Sequence, residues 1–84
     1  MLQKSNFYLT DVYITKKKAL DTIKEYVGKN YSTIVDENRY TRYISKDGKA
    51  VARYRYKKGT QQYELNLEIW SNGKVISNYH IVVK

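Results

Sequence analysis

Residues 61–70 read Gln61-Gln62-Tyr63-Glu64-Leu65-Asn66-Leu67-Glu68-Ile69-Trp70. Tyr63, Leu65, Leu67 and Ile69 alternate with Gln62, Glu64, Asn66 and Glu68. This is the period of two that belongs to a strand with one buried and one solvated face. The chain therefore contains an antiparallel sheet, and the segments on either side have to be read to match it.

Both flanks break at tight-turn sequences. Lys46-Asp47-Gly48, Lys58-Gly59-Thr60 and Ser71-Asn72-Gly73 divide the C-terminal half into strands at about 39–45, 49–57, 61–70 and 74–83. Asp-Gly and Asn-Gly are the strongest short hairpin signals, and links this short make sequential strands spatial neighbours. Residues 39–83 are thus expected to form a four-stranded meander. A turn at Lys58-Gly59 pairs Tyr54 with Tyr63, Ala52 with Leu65 and Ala50 with Leu67. On the other face it puts Arg53 beside Glu64 and Lys49 beside Glu68, so like meets like and charge meets countercharge. A two-residue loop at Asp47-Gly48 would oppose Arg42 to Arg53, which repels. A three-residue loop is expected instead, with Ile44 against Ala50 and Tyr40 against Tyr54. The same choice at Ser71-Asn72-Gly73 sets Ile69 against Val75 and Leu65 against Tyr79.

The expected inner face is Tyr40, Ile44, Ala50, Ala52, Tyr54, Tyr63, Leu65, Leu67, Ile69, Val75, Tyr79, Ile81 and Val83. The outer face then carries Arg39, Thr41, Tyr43, Lys49, Val51, Arg53, Arg55, Lys57, Glu64, Glu68, Trp70, Ile76, His80 and Val82. Trp70, Tyr43, Val51, Ile76 and Val82 together make an apolar set large enough to suggest a partner.

Upstream, residues 1–5 read as a short tail and 6–14 as a strand. Phe7 and Leu9 share one side, with Tyr8, Thr10, Val12 and Ile14 on the other. The imperfect alternation suggests a bulge or a strand covered on both sides. Thr15 is a helix N-cap. Residues 16–28 read as the helix, with Ala19, Leu20, Ile23, Tyr26 and Val27 as its apolar stripe. Gly28 or Asn30 ends it. Lys16, Lys17 and Lys18 fall in the first turn, where the helix dipole disfavours cations. Tyr31 to Val35 is either a short strand or the start of a longer one. The whole reads as one α+β domain of order β-α-β-β-β-β, with one helix packed on one face of a roughly five-stranded antiparallel meander sheet. That order resembles the cystatin-type arrangement of a helix wrapped by a sheet. The glutamine-valine-glycine loop of cystatin inhibitors is absent, since the corresponding turn reads Ser45-Lys46-Asp47-Gly48-Lys49. The resemblance implies a fold and no inhibitory activity.

The 84 residues hold no cysteine and no apolar run near the roughly 20 residues of a membrane span, so a cytoplasmic location is expected. The net charge is +8, and it is concentrated. Residues 39–58 carry eight Lys and Arg against one acid, Asp47, whereas 1–38 sum to +1 and 59–84 to zero. All four Arg lie in that segment.

No Ser-His-Asp pattern, phosphate-cradling glycine loop or metal-ligand spacing is present. His80, expected opposite Glu64, reads as a cross-strand pair rather than an acid–base couple. No catalytic residue, cofactor, metal or small-molecule substrate is implied. The expected role is a small non-enzymatic binding or regulatory module with a basic sheet face for nucleic acid. Its site residues are Arg39, Tyr43, Lys49, Arg53, Arg55, Lys57, Lys58 and Trp70, with Lys16, Lys17 and Lys18 as a secondary basic patch. The alternative is a protein–protein module or inhibitor that docks an acidic or nucleic-acid-binding target. It would also cover homodimerisation through the same face or through a free edge such as 74–83. Small size and high Lys, Tyr and Asn content suit a phage or mobile-element protein. The Arg39–Arg55–Lys57 end is expected to have no acid opposite.

Overall fold

In the computed structural model, which describes residues 4–84, seven elements follow one another. They are β1 (Ser5–Ile14), α1 (Lys16–Val27), β2 (Ser32–Val35), β3 (Thr41–Ile44), β4 (Ala50–Lys57), β5 (Gln62–Ser71) and β6 (Lys74–Val83). Strands β2 to β6 run antiparallel in sequence, and β1 adds beside β6 in parallel. The result is a six-stranded sheet of order β1-β6-β5-β4-β3-β2. The α+β class and the mostly antiparallel sheet agree with the sequence reading.

Two details of that reading change. The meander has five strands, because Ser32–Val35 is a strand of its own, paired with β3 from Ser32↔Ile44 to Val35↔Thr41. The first strand extends the sheet at the far side, in parallel, and nothing in its own sequence marks that distant partner. Strand 74–83 is therefore interior, and the free edges are β1 and β2. Likeness to the cystatin-type order stops at a helix packed on a sheet.

Local rules set the helix. Thr15 Oγ1 accepts a hydrogen bond from the Lys18 N–H at 3.1 Å, which satisfies one of the unpaired first-turn donors. Gly28, with φ of 74°, donates its N–H to the Lys24 carbonyl and ends the helix. Ala19, Ile23 and Val27 are buried, while Leu20, at the margin of the stripe, stays exposed. They pack with Ala52, Leu65 and Val83 of the sheet, and Ile14, Tyr26, Tyr43, Tyr54, Leu67 and Ile81 surround them. Each large aliphatic side chain fully buried here contributes about 1.5–3 kcal/mol. The Tyr26 hydroxyl crosses from helix to sheet and donates to the Glu68 carbonyl at 2.7 Å.

The registers differ from the expected ones in an instructive way. Between β4 and β5 the loop is two residues longer than expected, so Tyr54 meets Leu65, Ala52 meets Leu67 and Arg53 meets Asn66. That is a slip of two residues, which preserves both faces. Tyr54 and Tyr63 still touch, as a diagonal stack with centroids 5.1 Å apart. The β5–β6 turn closes on two residues, Asn72 and Gly73, with φ of 52° and 75°. Positive φ at both positions is the type I′ geometry whose twist suits a hairpin. Val75 consequently pairs with Trp70, and a bulge next to it brings Ser77 opposite Ile69 and Tyr79 opposite Leu67.

The β3–β4 hairpin slips by one residue, and this turns β3 over. Arg42 faces Arg53, Tyr43 faces Ala52 and Ile44 faces Val51. The turn itself imposes the change. Asp47 Oδ1 accepts from the Ser45 hydroxyl at 2.7 Å and from the Lys49 N–H at 2.9 Å. Ser45 Oγ accepts from the Ala50 N–H at 3.0 Å. The bond from the Lys49 N–H first, then that from the Ser45 hydroxyl, holds the Asp47 carboxyl below its ordinary value. Tyr43 therefore belongs to the core, and Arg42 and Ile44 to the outer face. In β1 a register shift between Leu9 and Tyr13 brings Ile14 to the side of Phe7 and Leu9, against the core. The side chains of Thr10, Asp11 and Val12 lie outside the described ones, as do residues 1–3 of the expected tail. Ser5 already belongs to β1.

Burial, then Tyr79 and Glu68, push the Tyr26 phenol above its ordinary value of 10.0. Burial and Tyr63 do the same to Tyr54. A raised phenol stabilises the fold fully below its unfolded value near 10 and loses that contribution as pH rises through the folded value. Thermal unfolding should thus show stability declining above pH 10. Tyr26→Phe should cost about 1 kcal/mol at neutral pH and reduce the alkaline decline, leaving the part due to Tyr54.

Candidate functional site

The helix covers one face of the sheet. No described element covers the other, yet its centre is withdrawn from solvent. Val51, Glu64, Asn66, Glu68, Asn78 and His80 are all buried there, Asn66 completely. The long side chains of adjacent strands enclose these residues. Register places them in rows that cross the strands. The central row is Ile34, Arg42, Arg53, Asn66, His80 and Tyr8, one residue from each strand. The next row towards the hairpin tips is Ser32, Ile44, Val51, Glu68, Asn78 and Asn6.

Two carboxylates organise the charges. Glu68 Oε2 lies 2.6 Å from Arg53 Nη2, and its Oε1 accepts from the Trp70 indole N–H at 3.0 Å. Glu64 is shared between Lys57, at 3.3 Å, and His80 Nδ1, at 2.7 Å. The remaining His80 nitrogen lies 3.2 Å from Asn6 Oδ1. The Tyr8 ring is stacked on the imidazole, 4.3 Å away and 11° from parallel. Each expected ion pair has shifted with the register, from Arg53–Glu64 to Arg53–Glu68 and from Lys49–Glu68 to Lys57–Glu64. The Arg55–Lys57 end, expected to lack an opposing acid, has Glu64 directly across from Arg55.

Four outer-face cations from the strands, Arg42, Arg53, Arg55 and Lys57, thus meet two acids. Arg42 and Arg55 take part in no ion pair among the described residues. Arg42 stands directly opposite Arg53, an arrangement that destabilises a sheet. The Nε atoms of Arg42, Arg53 and Arg55, both amide atoms of Asn66, and Asn78 Oδ1 are buried without a hydrogen-bond partner. Native structures rarely leave such groups unpaired, because each costs about 1–3 kcal/mol.

The three Arg floor a groove at the β2–β4 side of this face. One cleft of about 480 Å³ lies between Arg42, Arg53 and the turn Asp36-Glu37-Asn38. A second, of about 400 Å³, runs past Arg53 and Arg55 to Lys58. Asp36 shapes the turn, as its Oδ1 accepts from the Asn38 N–H at 2.9 Å and the Tyr40 N–H at 3.0 Å. Asp36 lines both clefts and Glu37 the first, so the rim carries some negative charge, and the second cleft ends at Lys58.

The expected site residues divide accordingly. Arg53, Arg55, Lys57 and Trp70 lie on the outer face. Lys58 extends it from the β4–β5 loop, and Arg39 is exposed in the β2–β3 turn with φ of 67°. Lys49 sits in the β3–β4 loop, its carbonyl bonded to the Trp70 N–H, at the opposite end of β4 from Lys58. Tyr43 points to the core. Lys16, Lys17 and Lys18 are exposed on the helix layer, across the sheet from the other cations. Of the expected apolar patch, Val51 is buried between Ile44 and Glu68, and Trp70 is tied to Glu68.

Sequence reasoning missed Arg42, Asn66, Asn78, Asn6 and Tyr8. Asn66 alone gave a signal, as an amide between two Glu in the best-defined strand. No group of three or more His, Cys, Asp or Glu that could hold a metal occurs among the described residues. No described helix is long and apolar enough to cross a membrane. Comparisons of the chain with protein-family models, curated proteins and solved structures return no match.

Asn66→Val removes a buried amide that bonds to nothing in the fold and adds a better strand former. The variant should be more stable by about 1 kcal/mol, read as a rise of roughly 4–8 °C in Tm. A fall in Tm would mean that the amide has a structural partner.

Proposed function

We propose that the chain is a non-enzymatic nucleic-acid-binding module that takes the polyanion on the uncovered face of its sheet. The observation that carries this reading is the Arg42–Arg53–Arg55 cluster. Three guanidinium groups occupy adjacent positions of β3 and β4 beside a groove, and two of them, Arg42 and Arg55, take part in no ion pair among the described residues. A sheet gains nothing by opposing Arg42 to Arg53. Phosphate relieves that repulsion, and the planar guanidinium fork matches its oxygens. A local rule broken at an uncovered surface is the expected mark of a binding site.

His80 and Glu64 are buried against each other and are read as part of the scaffold beneath the cations. The alternative, docking on an acidic protein or a second copy of the chain, would draw on exposed apolar anchors. Tyr43 and Val51 are withdrawn from that role, which supports it less.

Binding to labelled DNA and RNA should weaken steeply with salt, in proportion to the phosphates contacted. The double variant Arg42→Ala, Arg55→Ala should bind more weakly. The slope of log affinity against log salt should become shallower by roughly 1.4, or about 0.7 for each contact on a single strand. The single variant Arg42→Ala should not lower thermal stability, since a like charge opposite Arg53 is removed. Absence of binding to either nucleic acid at low ionic strength sinks the proposal.

A further inference from the structure

We infer that this face, if it is the nucleic-acid surface proposed above, selects single strands over duplex, with Tyr8 as a stacking platform for a base. The central row has two chemically different halves. Arg42 and Arg53 stand on β3 and β4, and His80 and Tyr8 on β6 and β1. Four strand spacings separate Arg42 from Tyr8, roughly 19 Å at about 4.8 Å each. A few nucleotides laid across the strands would place phosphates on the guanidinium half and a base at the aromatic half.

The Tyr8 ring is braced for that task. One face rests on His80, whose ring is held through both nitrogens by Glu64 and Asn6. The residue remains 60% exposed. A ring already ordered loses little freedom on binding. Two positions further along β6 the same edge presents Tyr13, 56% exposed, with the Lys84 ammonium 4.0 Å from its ring centre. The edge thus joins aromatic surface to positive charge, the pairing used by proteins that hold single strands.

Shape argues the same way. Reading a duplex major groove takes a helix or a two-stranded ribbon that projects into it. Here the single helix lies on the opposite face, and the basic surface is a broad open sheet. Bases reach such a surface only when unstacked from a partner strand.

The test is fluorescence anisotropy with a mixed-sequence single strand of about ten nucleotides, a length within the usual range of single-strand sites. A hairpin duplex of matched length and charge is the competitor. The single strand should bind at least tenfold tighter. Tyr8→Ala should weaken single-strand binding about tenfold while leaving the salt slope unchanged, because it removes stacking and no phosphate contact. Tyr8→Phe should retain binding and the parent's unfolding curve, while Tyr8→Ala should stay folded with Tm lowered only by loss of the stack on His80. Equal or tighter duplex binding, or an unaffected Tyr8→Ala, overturns this inference. The basic-face reading survives that result if the Arg42, Arg55 double variant still weakens binding. No binding of either oligonucleotide overturns both.

Discussion

The hydrogen bonds of Ser45 and Asp47 inside one turn decide which side of the sheet every residue of β3 faces. Strand side chains alternate, so a slip of one residue reverses the whole strand. With the turn closed on Ala50 through the Ser45 hydroxyl, Tyr43 reaches the core and Arg42 joins Arg53 on the opposite surface. The alternative register would bury Ile44 and expose Tyr43, leaving the outer face with three strand cations in place of four. Core composition and surface charge are thus linked through a few side-chain bonds at a solvent-exposed loop.

Much of the fold was legible because it rests on local chemistry. Thr15 and Gly28 mark the helix ends, and Leu65 and Leu67 declare the buried face of β5. Errors of two residues in hairpin register, as at β4–β5, left every face intact. At β3–β4 repulsion between Arg42 and Arg53 argues for a register one residue away, and the turn bonds of Ser45 and Asp47 outweigh it. The parallel docking of β1 carries no local signal, since Phe7 and Leu9 would suit any apolar neighbour. The site was only partly legible. Arg53, Arg55 and Lys57 follow from β4 alternation, but Tyr8 and Asn6 join the face solely through the long-range pairing with β6. The burial of Asn66 is a product of crowding by neighbours.

The polar face stands as an exception to the usual division of a two-layer domain. Buried carboxylates are expensive unless paired, and ion pairs away from water often gain little over apolar replacements. Glu64 and Glu68 each hold two partners, which ties Arg53, Trp70, Lys57 and His80 into fixed positions. Such pairing fixes side-chain geometry at modest net stability. The helix-covered face supplies the apolar burial that permits it.

The parallel pairing of β1 with β6 also has a kinetic consequence. Phe7 lies opposite Tyr79, 72 positions later in the chain. Contacts between residues so far apart form slowly, because the chain between them has to be ordered first. The hairpins from β2 to β6 can assemble from neighbours, whereas β1 docks only once β6 exists to receive it. On a ribosome this strand would emerge well before the β6 partner it waits for. The Tyr8–His80 stack spans the same pair of strands, so the aromatic end of the polar face is completed at the closing step of folding.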